Sequence, residues 1–204
     1  MYRLFIKRFL DIVFAFIGII ILAPVFLFIL IYVYVKLGKP ILFSQDRIGL
    51  NGNIFRMYKF RSMTNNTDEN GILLPESERL TKAGIILRST SLDELPELWS
   101  ILIGNMSIIG PRPLPTYYKP FYTKDEWTRH NVRGGLLPPD SLSGVTTPSW
   151  ELQFKYDQFY TKNVSFKLDL KILFKTFSIL LKRSSENYGS CERPHLNEYR
   201  KYNN

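Results

Sequence analysis

The first forty residues are dominated by one long apolar run. No charged side chain occurs in residues 12–35. As a straight helix this run would measure roughly 36 Å at about 1.5 Å per residue, which exceeds the ~30 Å hydrocarbon core of a bilayer. The pattern therefore predicts a membrane helix. A polar, basic stretch follows the run where a secretory signal peptide would show a cleavage site with small residues, which argues against cleavage.

Pro24 lies at the centre of this run, and both flanks of the run are basic. The basic residues are Arg3, Lys7 and Arg8 on one side and Lys36, Lys39 and Arg47 on the other. Such symmetry gives the positive-inside rule no preferred orientation. Because proline removes a backbone donor and crowds the preceding turn, a mid-membrane kink that returns both ends to the cytoplasmic face is one prediction. An ordinary spanning helix with a tolerated proline is the other.

Shorter elements follow in the middle of the chain. Residues 41–45 and 54–58 are predicted to be extended segments on either side of a turn at residues 50–53. Beyond the turn come Lys59 and Arg61 and, after a polar loop, Arg79, Lys82 and Arg88. Scattered basic residues of this kind form either a solvated face or a phosphate-binding surface.

The segment Ser91-Leu92-Asp93-Glu94 opens a predicted helix and allows two interpretations. Its spacing matches a capping box, in which Glu94 reaches back to the cap residue Ser91. Alternatively, the two carboxylates serve phosphoryl transfer, with Asp93 attacking phosphorus or holding a divalent cation such as Mg²⁺ together with substrate phosphates. A helix N-terminus would favour both carboxylate and phosphate.

Arg112 lies in a stiff segment, Gly110-Pro111-Arg112-Pro113. The two prolines restrict the backbone and glycine permits unusual angles. A guanidinium held in one direction suits bidentate phosphate recognition. The alternative is a proline-stiffened turn with an exposed arginine.

The last predicted helix is basic on one face and apolar on the other. Lys167, Lys171, Lys175 and Lys182 recur at helical spacing, and the opposite face carries Phe166, Leu170, Leu173, Phe174, Phe177, Leu180 and Leu181. Such a helix either lies at an anionic membrane interface or packs on the soluble core. The polar residues 184–204 are expected to form a loosely held tail.

Composition narrows the function classes. The chain of 204 residues has a formal charge of +9, which fits nucleic acid, an anionic membrane or phosphorylated substrates. One cysteine and two histidines (Cys191, His130 and His195) exclude an intramolecular disulfide and make a structural zinc site improbable. The basic residues cluster at apolar flanks and near carboxylates and do not follow one stripe, so no nucleic-acid partner is expected.

Taken together, these motifs closely resemble the bacterial sugar transferase family, the small monotopic phosphoglycosyl transferases that start assembly of surface or protein-linked glycans. The matching segments are the apolar run broken at Pro24, residues 58–63, Arg88 with residues 91–96, residues 107–113, and residues 163–173. The sequence departs from the family pattern at Ala23, where serine is usual, at Asn105, where aspartate is usual, and over residues 134–148.

The resemblance implies a mechanism and a set of site residues. Asp93 would take the sugar phosphate from a UDP-sugar, with release of UMP, and pass it to polyprenyl phosphate; Glu94 would assist and Mg²⁺ would be required, with Asp93 as its ligand. The phosphate-facing or substrate-binding residues would be Lys59, Arg61, Arg88, Pro111, Arg112 and Arg133. The helix break would fall at Ala23 and Pro24.

The predicted architecture is a mainly helical α/β monotopic membrane protein. A re-entrant membrane helix would occupy residues 1–39, a small catalytic domain with short strands and amphipathic interfacial helices residues 40–183, and the tail residues 184–204. The expected location is the cytoplasmic face of the bacterial inner membrane, among membrane lipids, and a homodimer is a further expectation. A catalytically silent relative that acts as a membrane-bound binding subunit is the alternative function, motivated by Asn105 and by residues 134–148.

Overall fold

A computed structural model of the chain describes residues 1–182 and 193–203. Helices predominate and two small two-stranded sheets accompany them, which agrees with the predicted mainly helical α/β class. The helices are α1 Lys7–Ile21, α2 Ala23–Leu37, α3 Glu76–Arg79, α4 Lys82–Ser89, α5 Glu97–Ile103, α6 Lys124–Trp127, α7 Trp150–Lys162, α8 Phe166–Lys182 and α9 Leu196–Asn203. The strands are β1 Leu42–Ile48, β2 Ile54–Phe60, β3 Met106–Ile109 and β4 Gly134–Leu137.

The apolar run forms two helices that meet at a bend. Helix α1 ends at Ile21 and α2 begins at Ala23, with Pro24 in the first turn of α2 and Leu22 between them. Proline is tolerated in a first turn because its missing N–H needs no intrahelical partner there. Within the described ranges no single helix is long and apolar enough to cross a bilayer; α1 and α2 together are, as a pair bent by 62°. The break predicted at Pro24 is therefore present.

Polar side chains of α1 fix this helix to the rest of the protein. Asp11 is 4% exposed and accepts hydrogen bonds from the Ser107 hydroxyl at 3.0 Å and the Ile108 N–H at 2.9 Å. Arg8 donates to the carbonyl oxygens of Ile101 and Leu102, which lie in the last turn of α5. The residue Arg8, which the sequence suggests as a basic flank of a membrane segment, thus caps a neighbouring helix.

The antiparallel hairpin β1–β2 confirms the two predicted extended segments. Its register pairs Leu42 with Phe60 and Ile48 with Ile54. The connection contains a short 3-10 turn in which Asn51 has a φ of 56°, a left-handed conformation that asparagine tolerates better than most residues.

Strands β3 and β4 form a parallel pair that is bonded to the Pro-Arg-Pro segment, residues 111–113. The Gly135 N–H donates to the Pro111 carbonyl at 3.0 Å, and the Gly110 N–H donates to the Leu137 carbonyl at 3.2 Å. A Cβ on Gly135 would lie 2.0 Å from the Gly110 nitrogen, so this approach requires glycine. The atypical stretch after Arg133 therefore builds the support of the Arg112 segment.

Helix α8 packs on the core and also presents an apolar surface. Ile172 is fully buried and Asp169 is 5% exposed, and Asp169 accepts from the Tyr2 and Tyr160 hydroxyls and pairs with Lys7 at 2.8 Å. The large apolar residues on the remaining surface are exposed, namely Phe166, Leu170, Leu173, Phe174, Phe177 and Leu181. Both interpretations of the amphipathic pattern thus describe part of this helix.

The described part of the C-terminal segment differs from the loosely held tail that was expected. Leu196 is fully buried against Leu114, Tyr118 and Trp150. The Trp150 indole N–H donates to the Pro194 carbonyl at 3.0 Å. The polar composition of the segment does not reveal this docking, because several of its contacts are made by polar side chains, among them Arg193 with Gln153 and Arg200 with Glu126. Cys191 lies outside the described residues.

Candidate active site

The two adjacent carboxylates lie on a short 3-10 turn, Leu92–Glu94, that precedes α5. Ser91 is left-handed, with a φ of 56°, and makes no side-chain capping bond. The Glu94 carboxylate points to two cations and not back to Ser91. The capping-box interpretation is therefore wrong, and both carboxylates face a common site.

Glu94 is the centre of a partly buried ionic cluster. Its Oε1 accepts from the Lys59 Nζ at 2.6 Å and from the Arg112 Nη1 at 2.8 Å. Lys59 also pairs with Glu97, the first residue of α5, at 3.2 Å. Burial opposes the charge on Glu94, but Arg112 and Lys59 outweigh it and hold the pKa of Glu94 well below its usual range. Glu94 thus stays ionised and joins a lysine from β2 to the Pro-Arg-Pro segment.

Asp93 has a different environment from its neighbour. It is 7% exposed, and within residues 1–182 and 193–203 its carboxylate makes no hydrogen bond or ion pair. Burial raises the pKa of Asp93, and the cations Lys59, Arg88 and Arg112 oppose this rise. An oxygen that is held near cations without being bonded to them is available to an incoming phosphorus atom.

Arg88 lies in the last turn of α4, and its charge acts on Asp93. Its Nε donates to the Ser62 hydroxyl at 2.8 Å, and its Nη1 lies 3.8 Å from a Glu76 carboxylate oxygen. Arg88 and Arg112 therefore approach Asp93 from two elements that are distant in sequence.

A buried ion pair supports the backbone of the Arg112 segment. Arg129 donates to the Arg112 carbonyl at 2.7 Å and pairs with Asp157 at 2.9 Å, and both Arg129 and Asp157 are almost fully buried. The Arg112 side chain itself is 44% exposed, so it is presented to the surface from a rigid base. Pro111, predicted beside it, contributes its carbonyl to the same support.

The structure does not bring Arg61 and Arg133 into this cluster. Arg61 donates to the carbonyl oxygens of Leu37, Gly38 and Lys39 and so closes the C-terminal end of α2. Arg133 donates to the Gly104 carbonyl at 2.9 Å, at the far end of α5 from Glu97. The orphan carbonyls of helix ends are strong partners for guanidinium groups, which accounts for both positions.

Asn105 also lies at that far end of α5. Its N–H donates to the Ser100 carbonyl, directly after Gly104. Seven helical residues span about 10 Å at 1.5 Å per residue, so Asn105 is separated from the carboxylates by the length of α5. The departure at Asn105 therefore removes no charge from the site.

Sequence reasoning missed three side chains near the site. Glu97 pairs with Lys59, and its acidic position next to Asp93 and Glu94 was a usable signal. Asp140 is 9% exposed in the atypical stretch, and its charge acts on Arg112, Arg129 and Arg193. Arg47, at the end of β1, bridges to Pro115, and the like charge of Arg112 acts on it. Nothing in the local sequence indicates the positions of Asp140 and Arg47.

The described residues contain no group of three or more His, Cys, Asp or Glu side chains that could hold a metal ion. Mg²⁺ commonly uses one or two carboxylates together with substrate phosphates. The unbonded oxygens of Asp93 fit that type of site, in which the substrate completes the coordination.

Comparison with known proteins decides the family. The sequence pattern of the family described as bacterial sugar transferase matches residues 2–183. The chain belongs to the bacterial sugar transferase family. The resemblance to this family that the sequence predicts is thereby confirmed.

Several other sugar transferases are similar to this chain. An uncharacterized sugar transferase, EpsL, of Bacillus subtilis is 43% identical over 171 residues, which is 84% of this chain and 85% of that protein. The UDP-glucose:undecaprenyl-phosphate glucose-1-phosphate transferase of Klebsiella pneumoniae is 34% identical over 180 residues. The UDP-N-acetylgalactosamine-undecaprenyl-phosphate N-acetylgalactosaminephosphotransferase of Aeromonas hydrophila is 34% identical over 189 residues. The chain spans 39% and 44% of the length of these last two relatives.

Proposed function

We propose that this chain transfers a sugar 1-phosphate from a UDP-sugar to undecaprenyl phosphate and thereby starts assembly of a surface or protein-linked glycan. The activities for which relatives in this family are named indicate the donor and acceptor classes. The single observation that carries the chemistry is the buried, unbonded carboxylate of Asp93, on which the charges of Lys59, Arg88 and Arg112 act.

The proposed reaction has two displacements at one phosphorus atom. An Asp93 oxygen attacks the β-phosphorus of the UDP-sugar; the bond from that phosphorus to the bridging oxygen breaks, and UMP leaves with the bridging oxygen. The protein then carries an aspartyl phosphosugar. A phosphate oxygen of the lipid attacks the same phosphorus, the bond to Asp93 breaks, and the carboxylate is regenerated. Two steps allow a soluble donor and a lipid acceptor to use one site in turn.

The cations around Asp93 have distinct tasks in this scheme. Arg112 and Arg88 would bind non-bridging phosphate oxygens, where charge is spread in the transition state. Glu94 would hold Lys59 and Arg112 in place, since it already bonds both. Mg²⁺, held by Asp93 and the donor phosphates, would supply further neutralisation of phosphate charge.

Two exposed apolar surfaces support location at the cytoplasmic face of the inner membrane. One is formed by α1 and α2, where Phe9, Phe28 and Val35 are each more than 60% exposed. The other is the apolar stripe of α8, in which Leu181 is 73% exposed. Large exposed apolar patches on a protein with basic flanks fit insertion into an anionic bilayer surface. A re-entrant pair would bury the first patch in lipid, and the second would lie at the interface.

Intact-protein mass spectrometry tests the proposal. Purified protein in nanodiscs, incubated with Mg²⁺ and a panel of UDP-sugars but no lipid acceptor, should gain the mass of one sugar phosphate on the peptide that contains Asp93. Asp93→Asn should gain none, whereas the control Asp125→Asn, at an exposed position on α6, should behave as wild type. Adding undecaprenyl phosphate should discharge the adduct.

The opposite results identify the alternatives. No adduct and no UMP release with any UDP-sugar would favour the catalytically silent binding subunit. An adduct that persists in Asp93→Asn would place the nucleophile elsewhere.

A further inference from the structure

Arg47, the next-to-last residue of β1, is a cation without a counter-ion. Across residues 1–182 and 193–203 its guanidinium makes no hydrogen bond or ion pair, and its Nε is buried. Its backbone is fixed on both sides, because β1 pairs with β2 and Arg47 also forms an antiparallel bridge to Pro115. The strand therefore holds this side chain in place without neutralising it.

The nearest charges do not explain the position of Arg47. Burial lowers the pKa of Arg47, and the like charge of Arg112 lowers it further, against opposing contributions from Glu97, Tyr117 and Tyr118. Glu97, the one carboxylate of this group, is already paired with Lys59. Arginine remains protonated in proteins, so Arg47 keeps its charge near the like charge of Arg112. Of these two arginines, only Arg112 has an anionic partner among the described residues.

Such an arrangement is unfavourable in the free protein and favourable once an anion lies between the two groups. A partly buried charge without a partner carries a desolvation cost. Arg56, on the neighbouring strand, shows the ordinary situation: it is well exposed and pairs with Asp46 at 3.0 Å. The unpaired state of Arg47 thus points to a ligand and not to a structural role.

We infer that Arg47 and Arg112 bind the phosphate of the leaving nucleotide. This inference rests on the proposed function. On the proposed function, Arg88, Asp93 and Arg112 surround the phosphorus that is attacked. The end of β1 is bonded to the segment that follows Arg112, because Arg47 bridges to Pro115 and the Ile48 N–H donates to the Leu114 carbonyl at 3.1 Å. With the sugar-bearing phosphorus at Asp93, the second phosphate of the donor would be bound by Arg112 and Arg47 together.

The charge balance of the first step gives Arg47 a reason to be unpaired. Before attack, Asp93 carries one negative charge and each donor phosphate carries one. After the bond to the bridging oxygen breaks, the aspartyl phosphosugar carries one and the released UMP phosphate carries two. The negative charge therefore increases on the nucleotide phosphate. An unpaired guanidinium next to that phosphate stabilises the increased charge.

Binding of UMP to the free protein tests this inference directly. Titration calorimetry in nanodiscs would compare wild type with Arg47→Ala and Arg47→Lys, and with Arg56→Ala as a matched control on the same hairpin. Loss of a charge-assisted contact should weaken UMP binding about 10- to 100-fold in Arg47→Ala. Arg47→Lys should be intermediate, because a point charge replaces a fork, and Arg56→Ala should match wild type.

Thermal unfolding without ligand separates this role from a structural one. Arg47→Ala should melt at or above the wild-type temperature, since it removes a like-charge contact with Arg112, while the stabilisation by added UMP should be largely lost. A lower melting temperature with an unchanged UMP affinity would overturn the inference.

A prenyl phosphate probe distinguishes the two phosphates that meet at this site. If Arg47→Ala weakens binding of a short-chain prenyl phosphate and leaves UMP affinity intact, Arg47 serves the lipid and the inference fails. If UMP does not bind wild type at all, the nucleotide-sugar donor of the proposed function fails, and this inference fails with it.

Discussion

Asp93 and Glu94 are adjacent carboxylates whose isosteric amide substitutions should change stability in opposite directions. Glu94→Gln removes the charge that accepts from Lys59 at 2.6 Å and from Arg112 at 2.8 Å. Asp93→Asn removes a charge that is 7% exposed and bonded to no described residue. The first substitution leaves two cations facing each other, and the second relieves burial of an unpaired anion.

The magnitudes follow from these contacts. Breaking a buried ion pair by removal of one partner costs about 3–5 kcal/mol, and Glu94→Gln should lie near the lower value because Lys59 retains Glu97 at 3.2 Å. At about 2–4 °C per kcal/mol for a chain of this size, the melting temperature should fall by roughly 6–12 °C. Asp93→Asn should stabilise by about 0.5–2 kcal/mol, as replacement of strained site residues commonly does.

The pH dependence of stability tests the sign of both effects. Burial raises the pKa of Asp93 in the folded state. The ionised Asp93 carboxylate therefore destabilises the fold fully at pH values above this raised pKa, and not at all below the pKa of about 3.9 in the unfolded chain. The advantage of Asp93→Asn should therefore grow as pH rises. Because the pKa of Glu94 is lowered, its contribution is fully present above about 4.3 and is lost as pH falls.

Differential scanning calorimetry in nanodiscs, at a fixed scan rate and at pH 5 and pH 7.5, measures the melting temperatures of both variants. Asp125→Asn is the control variant. A lower melting temperature for Asp93→Asn at pH 7.5 would refute the description of Asp93 as an unpaired anion. A Glu94→Gln protein as stable as wild type would show that Glu94 does not hold Lys59 and Arg112 together.

Three further outcomes are expected. The single-turnover rate of UMP release should fall on acidification at a pH above the ordinary aspartate value of about 3.9, because protonation of Asp93 removes the nucleophile and its pKa is raised. Gly135→Ala should lower stability by at least about 1–3 kcal/mol in thermal unfolding, because its Cβ would lie 2.0 Å from the Gly110 nitrogen. Phe174→Glu on the exposed face of α8 should reduce flotation with anionic liposomes at an unchanged melting temperature, since Phe174 is 65% exposed.

The parts of the fold that the sequence predicts are those with local causes. The apolar run and Pro24 predict two helices with a break, and the chain bends by 62° at Leu22. Alternating residues around Asn51 predict the hairpin. The parallel pairing of β3 with β4 was not predicted, because its partners are separated by α6 and several turns. The docking of Leu196 was missed for the same reason.

The residues of the candidate site also differ in how far the sequence predicts them. Asp93, Glu94, Lys59, Arg88 and Arg112 were predicted from motifs and are brought together by the fold. A basic residue in a motif, however, does not reveal whether its partner is a phosphate or the carbonyl end of a helix. That ambiguity accounts for Arg61 and Arg133, which cap helices here. The same ambiguity applies to Arg47. Its proposed role rests on the lack of an anionic partner among the described residues, and the sequence does not reveal such a lack.

Helix α5 connects the apolar helix α1 to the candidate active site. Its first residue, Glu97, pairs with Lys59 in the site, and its last turn is capped by Arg8 of α1. Along its length Leu98 and Ile101 pack against Ala15, which is fully buried in α1. The apolar helix and the carboxylates are thus joined by about 10 Å of one rigid element. On the proposed function, a lipid phosphate lies at a height set by the bilayer, so the attacking phosphate and Asp93 can meet only if the protein fixes the height of Asp93 as well. The contacts of Arg8 and Ala15 with α5, and of Asp11 with β3, would do this whether or not α1 and α2 cross the membrane, because hydrogen bonds and packing hold α1 against both elements.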